Sequence, residues 1–248
     1  ADHHLLQNDR RLIFHPLQKK LEGRHSNAPM IAIGTPRQFP SWINFIEYMD
    51  EKHGILDLEG QAISGGSSKH LVLFYAGNHD LPSLAGRTAC RDQFVKCLEA
   101  IREVDPQVSI LIKPHPICDL TDLLHELRVF DDLKIQIVTT HPQILARHAI
   151  ACLFSHGSSV IDDMYLADVP VIETSLYTED IVNAAGSLYP NVGRIGCRSR
   201  DEIISVLRDI IGKTAELPLP EKDHLYWEKI PRLSGTIWPD ATSTSLRT

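Results

Sequence analysis

Long apolar runs are missing from this 248-residue chain, and so is any apolar block at its amino terminus, where His3, His4, Asp9 and Arg10 stand instead. From the first absence no membrane-spanning helix is expected, and the second means that the amino terminus lacks the apolar block of a signal peptide. Cys-x-x-Cys pairs are absent too: Cys90, Cys97, Cys118, Cys152 and Cys197 are scattered, most of them among apolar neighbours. That usage fits reduced core thiols rather than a disulfide framework, and a cytoplasmic location is the expectation. Positive charge is in deficit, with a formal net charge of −7. A general nucleic-acid surface is therefore not expected, and any anion site has to be local. Gly-x-Gly-x-x-Gly, a P-loop lysine and a Gly-x-Ser-x-Gly elbow are all lacking, which lowers the dehydrogenase, NTPase and α/β-hydrolase readings. His3, His4 and His25 read as solvated, and His141 and His148 lack the i, i+4 spacing of a helical zinc pair, so neither a metal nor a cofactor is expected.

What is present is a regular alternation. The runs Leu71 to Ala76, Val108 to Lys113, Leu133 to Thr139, Ile150 to Ser155, Val169 to Glu173 and Asn191 to Ile195 are rich in β-formers. Between them lie helical stretches, Cys90 to Val104, Thr121 to Arg128, Pro142 to His148, Ser158 to Ala167 and Glu179 to Ala185. Strands alternating with helices imply right-handed crossovers and an α/β fold, a doubly wound parallel sheet of Rossmann-like type covered on both faces. The last helix carries its own punctuation: Ser199 and Glu202 form a capping box, Ile203, Leu207 and Ile210 a stripe, and Gly212 the expected stop.

Ahead of this region a strand is expected from Met30 to Gly34, and a weakly amphipathic stretch runs from Leu12 to Leu21. A helix is expected from an N-cap at Ser41 to a stop at Gly54, with Trp42, Phe45, Ile46 and Met49 on one face. The run Ser64-Gly65-Gly66-Ser67-Ser68 has linker composition and places a boundary. Three parts follow: an N-terminal segment over 1–68, a Rossmann-like domain over 69–212, and a Pro-rich tail over 213–248 anchored by Tyr226, Trp227 and Trp238. The chain opens on Ala1 rather than Met and is read as trimmed or processed.

Polar residues collect at the carboxyl ends of the strands, where an open parallel sheet binds its ligands. Gly77, Asn78, His79 and Asp80 follow the first strand, and Lys113, Pro114, His115 and Pro116 the second. Thr139, Thr140, His141 and Pro142 follow the third, Ser155, His156, Gly157, Ser158 and Ser159 the fourth, and Glu173 to Tyr177 the fifth. Gly157 lets backbone approach a ligand, and Ser158 and Ser159 sit where hydroxyls and helix N–H groups point at an anion. The helix dipole there contributes about 0.3–1 kcal/mol toward an anion. A charge-assisted bond from Lys113 or a protonated histidine adds roughly 1.5–3 kcal/mol. Bland readings stand beside these: a Ser-rich turn is often only a cap, prolines end strands, and His115 fits a satisfied structural histidine. Asp162 and Asp163 occupy the first turns of a helix, where carboxylates are favourable anyway.

The segments Ile112-Lys113-Pro114-His115-Pro116 and Ser155-His156-Gly157-Ser158-Ser159, with the region from Asp162 to Glu173, resemble the carboxyl-terminal, nucleotide-sugar-binding half of GT-B glycosyltransferases. More narrowly they resemble bacterial surface-polysaccharide enzymes: capsule-synthesis transferases, CDP-glycerol glycerophosphotransferases, and sialyltransferases with a His-Pro motif and a serine motif. The resemblance covers about Lys69 to Gly212. It implies that His115 and Pro116 lie near the nucleotide, that Ser158 and Ser159 bind donor phosphate, and that Glu173 or its neighbours approach the ribose. It also implies a CMP-, CDP- or UDP-linked sugar as donor and a glycan or lipid-linked acceptor. Peripheral membrane association would come through a further domain or partner. A GT-B enzyme has a full amino-terminal α/β domain holding the acceptor and usually the base, whereas some seventy residues precede Lys69, so no catalytic base is nominated.

The nucleotide- or phosphate-binding set expected from the sequence is therefore Gly77, Asn78, Lys113, His115, Pro116, Thr140, Ser155, His156, Gly157, Ser158, Ser159 and Glu173. Two other functions compete with a transferase. UDP-N-acetylglucosamine 2-epimerases share the resemblance, and an epimerase would draw its acid and base from Asp80, Asp162 and Glu173. The other is a non-catalytic binding module whose Trp-bearing tail docks a partner.

Overall fold

The structure, a computed structural model, describes residues 11–13, 30–32, 37, 40–63, 69–77, 88–116, 118–156, 158, 160–185 and 194–213. The chain forms two compact units, Ala1–Phe45 with Lys222–Thr248, and Ile46–Glu221. In the first, strand β1 (Arg11–Ile13) pairs in parallel with β2 (Met30–Ala32), Leu12 opposite Ile31. The amphipathic stretch thus opens as a strand, because pairing with a distant segment outweighs a weak helical period. Helix α1 (Pro40–His53) begins at Pro40, so Ser41 lies inside the first turn rather than capping it. Proline is favoured there, since its missing N–H would have no helical partner anyway. Gly54, at φ 61°, ends the helix and donates its N–H to the Asp50 carbonyl at 2.8 Å.

The second unit is built on a six-stranded, wholly parallel sheet: β3 (His70–Tyr75), β4 (Ser109–Pro114), β5 (Lys134–Ile137), β6 (Ala149–Phe154), β7 (Val171–Glu173) and β8 (Arg194–Gly196). Helices α2 (Ala89–Val104), α3 (Leu120–Leu127), α4 (Pro142–Arg147), α5 (Ile161–Leu166), α6 (Glu179–Ala185) and α7 (Arg200–Gly212) alternate with the strands. The strand order is β5-β4-β3-β6-β7-β8. From β3 the chain winds outward to β5, then returns to lay β6 against the other side of β3. This reversal makes the gap beyond the carboxyl ends of β3 and β6 the topological switch point of a doubly wound Rossmann-like sheet.

Alternation along the buried strands separates two cores. Leu71, Leu73, Ile110, Ile112, Leu153 and Ile172 pack with Phe94, Leu98 and Ile101 of α2, Leu123 of α3, and Ile203 and Leu207 of α7. Val72, Phe74, Leu111, Cys152, Phe154 and Val171 form the opposite core with Leu145 of α4 and Ile161 and Met164 of α5. Each fully buried Leu or Ile contributes about 1.5–3 kcal/mol relative to exposure.

The compact unit begins at Ile46, ahead of the Ser-Gly run at 64–68. Ile55 enters the second core, Leu56 accepts a hydrogen bond from Thr139 N–H at 3.0 Å, and Asp57 bridges to Val138 after β5. The capping box forms as expected: the Ser199 hydroxyl accepts from Glu202 N–H while the Glu202 carboxylate accepts from Ser199 N–H. Gly212, however, is the last helical residue, and the left-handed cap falls on Lys213 at φ 52°. Residues 214–248, including the expected aromatic anchors of the tail, lie outside the described residues.

Candidate functional site

A cleft of about 480 Å³ opens at the carboxyl end of the sheet, on the side of α4 and α5. Its lining comes from four strand ends: Phe74 and Tyr75 of β3, Lys113 through Pro116 of β4, Thr139 and His141 after β5, and His156, Ser158 and Val160 after β6. That volume is within the range of small-molecule sites, and the switch point is where this fold class places them. Stacked rings of Phe74 and Phe154, with centroids 4.4 Å apart and planes 6° from parallel, hold the two central strands together beneath it.

Each polar group is positioned by backbone. Lys113 lies opposite Phe74 in the β3–β4 register, so its side chain leaves the sheet at the cleft. It is half-buried, burial lowers its pKa, and it has no ion-pair partner among the described residues. His115 is fixed where β4 ends: its N–H donates to the Tyr75 carbonyl at 2.7 Å, and its own carbonyl accepts from Cys118 N–H at 2.8 Å. Pro114 and Pro116 flank it and keep the chain from continuing the ladder.

His141 precedes Pro142 at the start of α4, and its Nδ1 accepts the Gln143 N–H at 3.3 Å. An accepting Nδ1 leaves Nε2 as the protonated nitrogen of the neutral ring. His156 follows β6 and is only 6% exposed, and its Nδ1 has no hydrogen-bond partner among the described residues. Burial, and secondarily the neighbouring His115, lower its pKa to about 4, so it is neutral near pH 7. Ser158 does not cap a helix. Its hydroxyl accepts the Val160 N–H at 3.2 Å within a turn, and α5 starts only at Ile161 and is short. The expected helix from Ser158, and the dipole assistance drawn from it, is therefore corrected: a turn precedes the helix.

Lys113, His115, Pro116, His156 and Ser158 of the expected set come together in this cleft, and four others of that set do not line it. The Thr140 hydroxyl accepts the Leu56 N–H at 2.6 Å and is buried in that join. Glu173 is wholly buried, and the Tyr177 hydroxyl donates to its Oε1. Ser155 is buried with no partner for its hydroxyl among the described residues, and Gly77 turns the chain away from β3 at φ 82°. Asn78, Gly157, Ser159 and Asp80 lie outside the described residues, as does the side chain of Asp162. Sequence reasoning passed over His141 and Thr139 in favour of Thr140. The usable signal was a histidine directly before a helix-opening proline, a position whose ring caps the helix and faces the strand ends.

Among the described residues no carboxylate lines the cleft, no three His, Cys, Asp or Glu side chains gather so as to hold a metal ion, and no helix is long and apolar enough to cross a membrane.

No family model and no curated protein matches this sequence. Among solved structures the chain is similar to a variant of TarM from S. aureus, in complex with fondaparinux, α-GlcNAc-glycerol and UDP, at 10% identity and a TM-score of 0.44. That alignment covers 81% of this chain and 36% of the other. AviGT4, a glycosyltransferase involved in avilamycin A biosynthesis, aligns over 90% of this chain and 60% of its own at 13% identity and a TM-score of 0.42. Os79 from O. sativa, in complex with U2F and trichothecene, aligns over 91% of this chain and 49% of its own at 15% identity and a TM-score of 0.42. The chain thus spans between about a third and three fifths of the length of these structures.

Proposed function

We propose that this chain is the donor-binding part of a glycosyltransferase of GT-B type, and that the cleft at the switch point holds the nucleotide and phosphate of a CMP-, CDP- or UDP-linked sugar. One observation carries this reading: among the described residues the cleft is lined by a lysine, three histidines and a serine hydroxyl, with no carboxylate. In a chain with a formal net charge of −7, such a lining selects an anion locally rather than by overall field.

The chemistry follows from that placement. In glycosyl transfer an acceptor oxygen bonds to the anomeric carbon as the bond from that carbon to the phosphate oxygen breaks. The acceptor proton passes to a base, and negative charge builds on the departing phosphate. Lys113 and His115 supply donors where that charge develops, and the buried Phe74 and Pro114 lower the dielectric beside the half-buried Lys113. An arriving phosphate restores to Lys113 the partner that burial denies it, so its pKa rises on binding. A role in bacterial surface-polysaccharide synthesis, with a glycan or lipid-linked acceptor held by another part of the enzyme, is part of this proposal. No observation favours the epimerase reading, because Glu173 is committed to Tyr177 inside the fold.

CMP, CDP or UDP is expected to raise the melting temperature, and the double substitution Lys113→Ala with His115→Ala to abolish the increase. An unchanged melting temperature with all three nucleotides would refute the reading.

A further inference from the structure

We infer that His156 takes up a proton when a phosphate-bearing ligand occupies the cleft, so that binding and protonation are one linked event. The inference rests on the donor-site reading above and specifies how that site responds to pH.

Three features of His156 combine. It lines the cleft, it is 6% exposed, and its Nδ1 has no hydrogen-bond partner among the described residues. A buried polar atom without a partner is costly, and this ring is held without the hydrogen bond that its unpartnered nitrogen needs. The groups around it are one-sided in charge. Lys113 and His115 approach from the end of β4, and His141 stands at the start of α4 with its Nδ1 engaged by Gln143 N–H. Ser158 is the next described residue along the chain, and its hydroxyl accepts from Val160 N–H. Two described carboxylates sit on the packed elements: Asp163 of α5 accepts from Gln143 Nε2 at 3.0 Å, and Glu173 of β7, opposite Phe154, accepts from the Tyr177 hydroxyl; neither lines the cleft.

With cationic or neutral neighbours and little water, an imidazolium at His156 is disfavoured in the free protein, and burial with His115 holds its pKa at about 4. A phosphate reverses both causes at once. It brings negative charge into a low-dielectric space, and its oxygens accept only from N–H groups. The proton comes from solvent, forms a second N–H on the ring and hydrogen-bonds to a phosphate oxygen, with no other bond made or broken. The pKa of His156 is therefore higher in the complex than in the free protein. Affinity is greatest at low pH and falls as pH rises through the value in the complex.

The test is calorimetric titration with UDP-N-acetylglucosamine, whose diphosphate diester does not itself titrate near neutrality. Titrations in two buffers of different ionisation enthalpy give the protons taken up. On the order of one proton per ligand is expected near pH 6, with affinity falling up to about tenfold per pH unit above the pKa in the complex. His156→Gln, which keeps hydrogen-bonding capacity but cannot become charged, is expected to bind with no uptake and a flat pH profile. His141→Gln retains the uptake. In the unsubstituted protein, the nitrogen resonances of the His156 ring should move from a neutral to an imidazolium pattern on saturation, which tests the point even if the variant does not fold. Binding with no proton uptake overturns this inference and leaves the donor-site reading standing. So does uptake that survives His156→Gln and disappears in His115→Gln. An absence of binding at every pH, with CMP- and CDP-linked ligands as well, removes both.

Discussion

Lys113 differs from several arginines of this fold in being half-buried without an ion-pair partner among the described residues. Arg91 is held by both oxygens of Glu126 at 2.7 and 3.0 Å, Arg147 bridges Glu47 and Asp50, and Arg200 and Arg208 share Glu103. Such exposed pairs add little stability, about 0–1 kcal/mol each, but they leave no charge searching for a partner. Lys113 has no such carboxylate among the described residues, and its half-buried place at a strand end is what the proposed anion site draws on. The five cysteines carry the opposite message. All are free; Cys90, Cys97, Cys152 and Cys197 are buried, and burial raises the thiol pKa of Cys97 and Cys197 to about 12. Cys118 alone is not buried, although burial and its neighbour Asp119 still raise its pKa to about 11. Thiolate being the reactive form, alkylation by iodoacetamide at about pH 8 should be slow and should label Cys118 first. Peptide mapping that found Cys97 or Cys152 modified ahead of Cys118 would show that the core opens more readily than its packing indicates.

Helix ends are the elements whose energetics are clearest. The Ser199 and Glu202 box satisfies donors at both positions, and backbone bonds from Arg198 and Ser199 lower the Glu202 pKa. Ser199→Ala is expected to destabilise the fold by about 1 kcal/mol. At the other end Lys213 sits at φ 52°, a conformation that costs a side-chain-bearing residue more than glycine, so Lys213→Gly should stabilise by up to about 0.5 kcal/mol. Urea midpoints moving in opposite directions with an unchanged slope would bear out both; a stability loss in Lys213→Gly would mean that the cap is held by more than its backbone geometry. The capping box could be read in the sequence because it is local, whereas the exchange of Gly212 for Lys213 depends on where the core releases the last turn. Locality decides the other elements in the same way. Lys113, His115 and Ser158 were legible as polar residues ending apolar runs. The engagement of Thr140 by Leu56, and of Glu173 by Tyr177 inside a packed corner, arises from folded neighbours that spacing does not reveal.

For the molecule as a whole, alternation of strand and helix reveals a parallel, doubly wound sheet, but not that β6 returns beside β3, and it is this return that brings four strand ends into one cleft. The same folding event buries His156 and His70, and the pKa of each is lowered, in His70 by burial first and His148 second. Stability must then depend on pH. Between about 6.5 and about 4 the unfolded chain binds protons that the native His156 does not. Its contribution is constant above pH 6.5 and is lost progressively as pH falls toward 4, the full drop being on the order of 3 kcal/mol for this residue. Urea unfolding at pH 7 and pH 5 should differ by about 2 kcal/mol from His156 alone, and His156→Gln should flatten that part of the profile. On the proposed reading a bound nucleotide sugar opposes this linkage, because the complex takes up the proton that the free protein does not. The stabilisation by ligand should therefore grow as pH is lowered from 7 to 5, even while the free protein weakens. If the free and liganded profiles run parallel over that interval, His156 does not connect the acid sensitivity of the fold to the chemistry of the cleft.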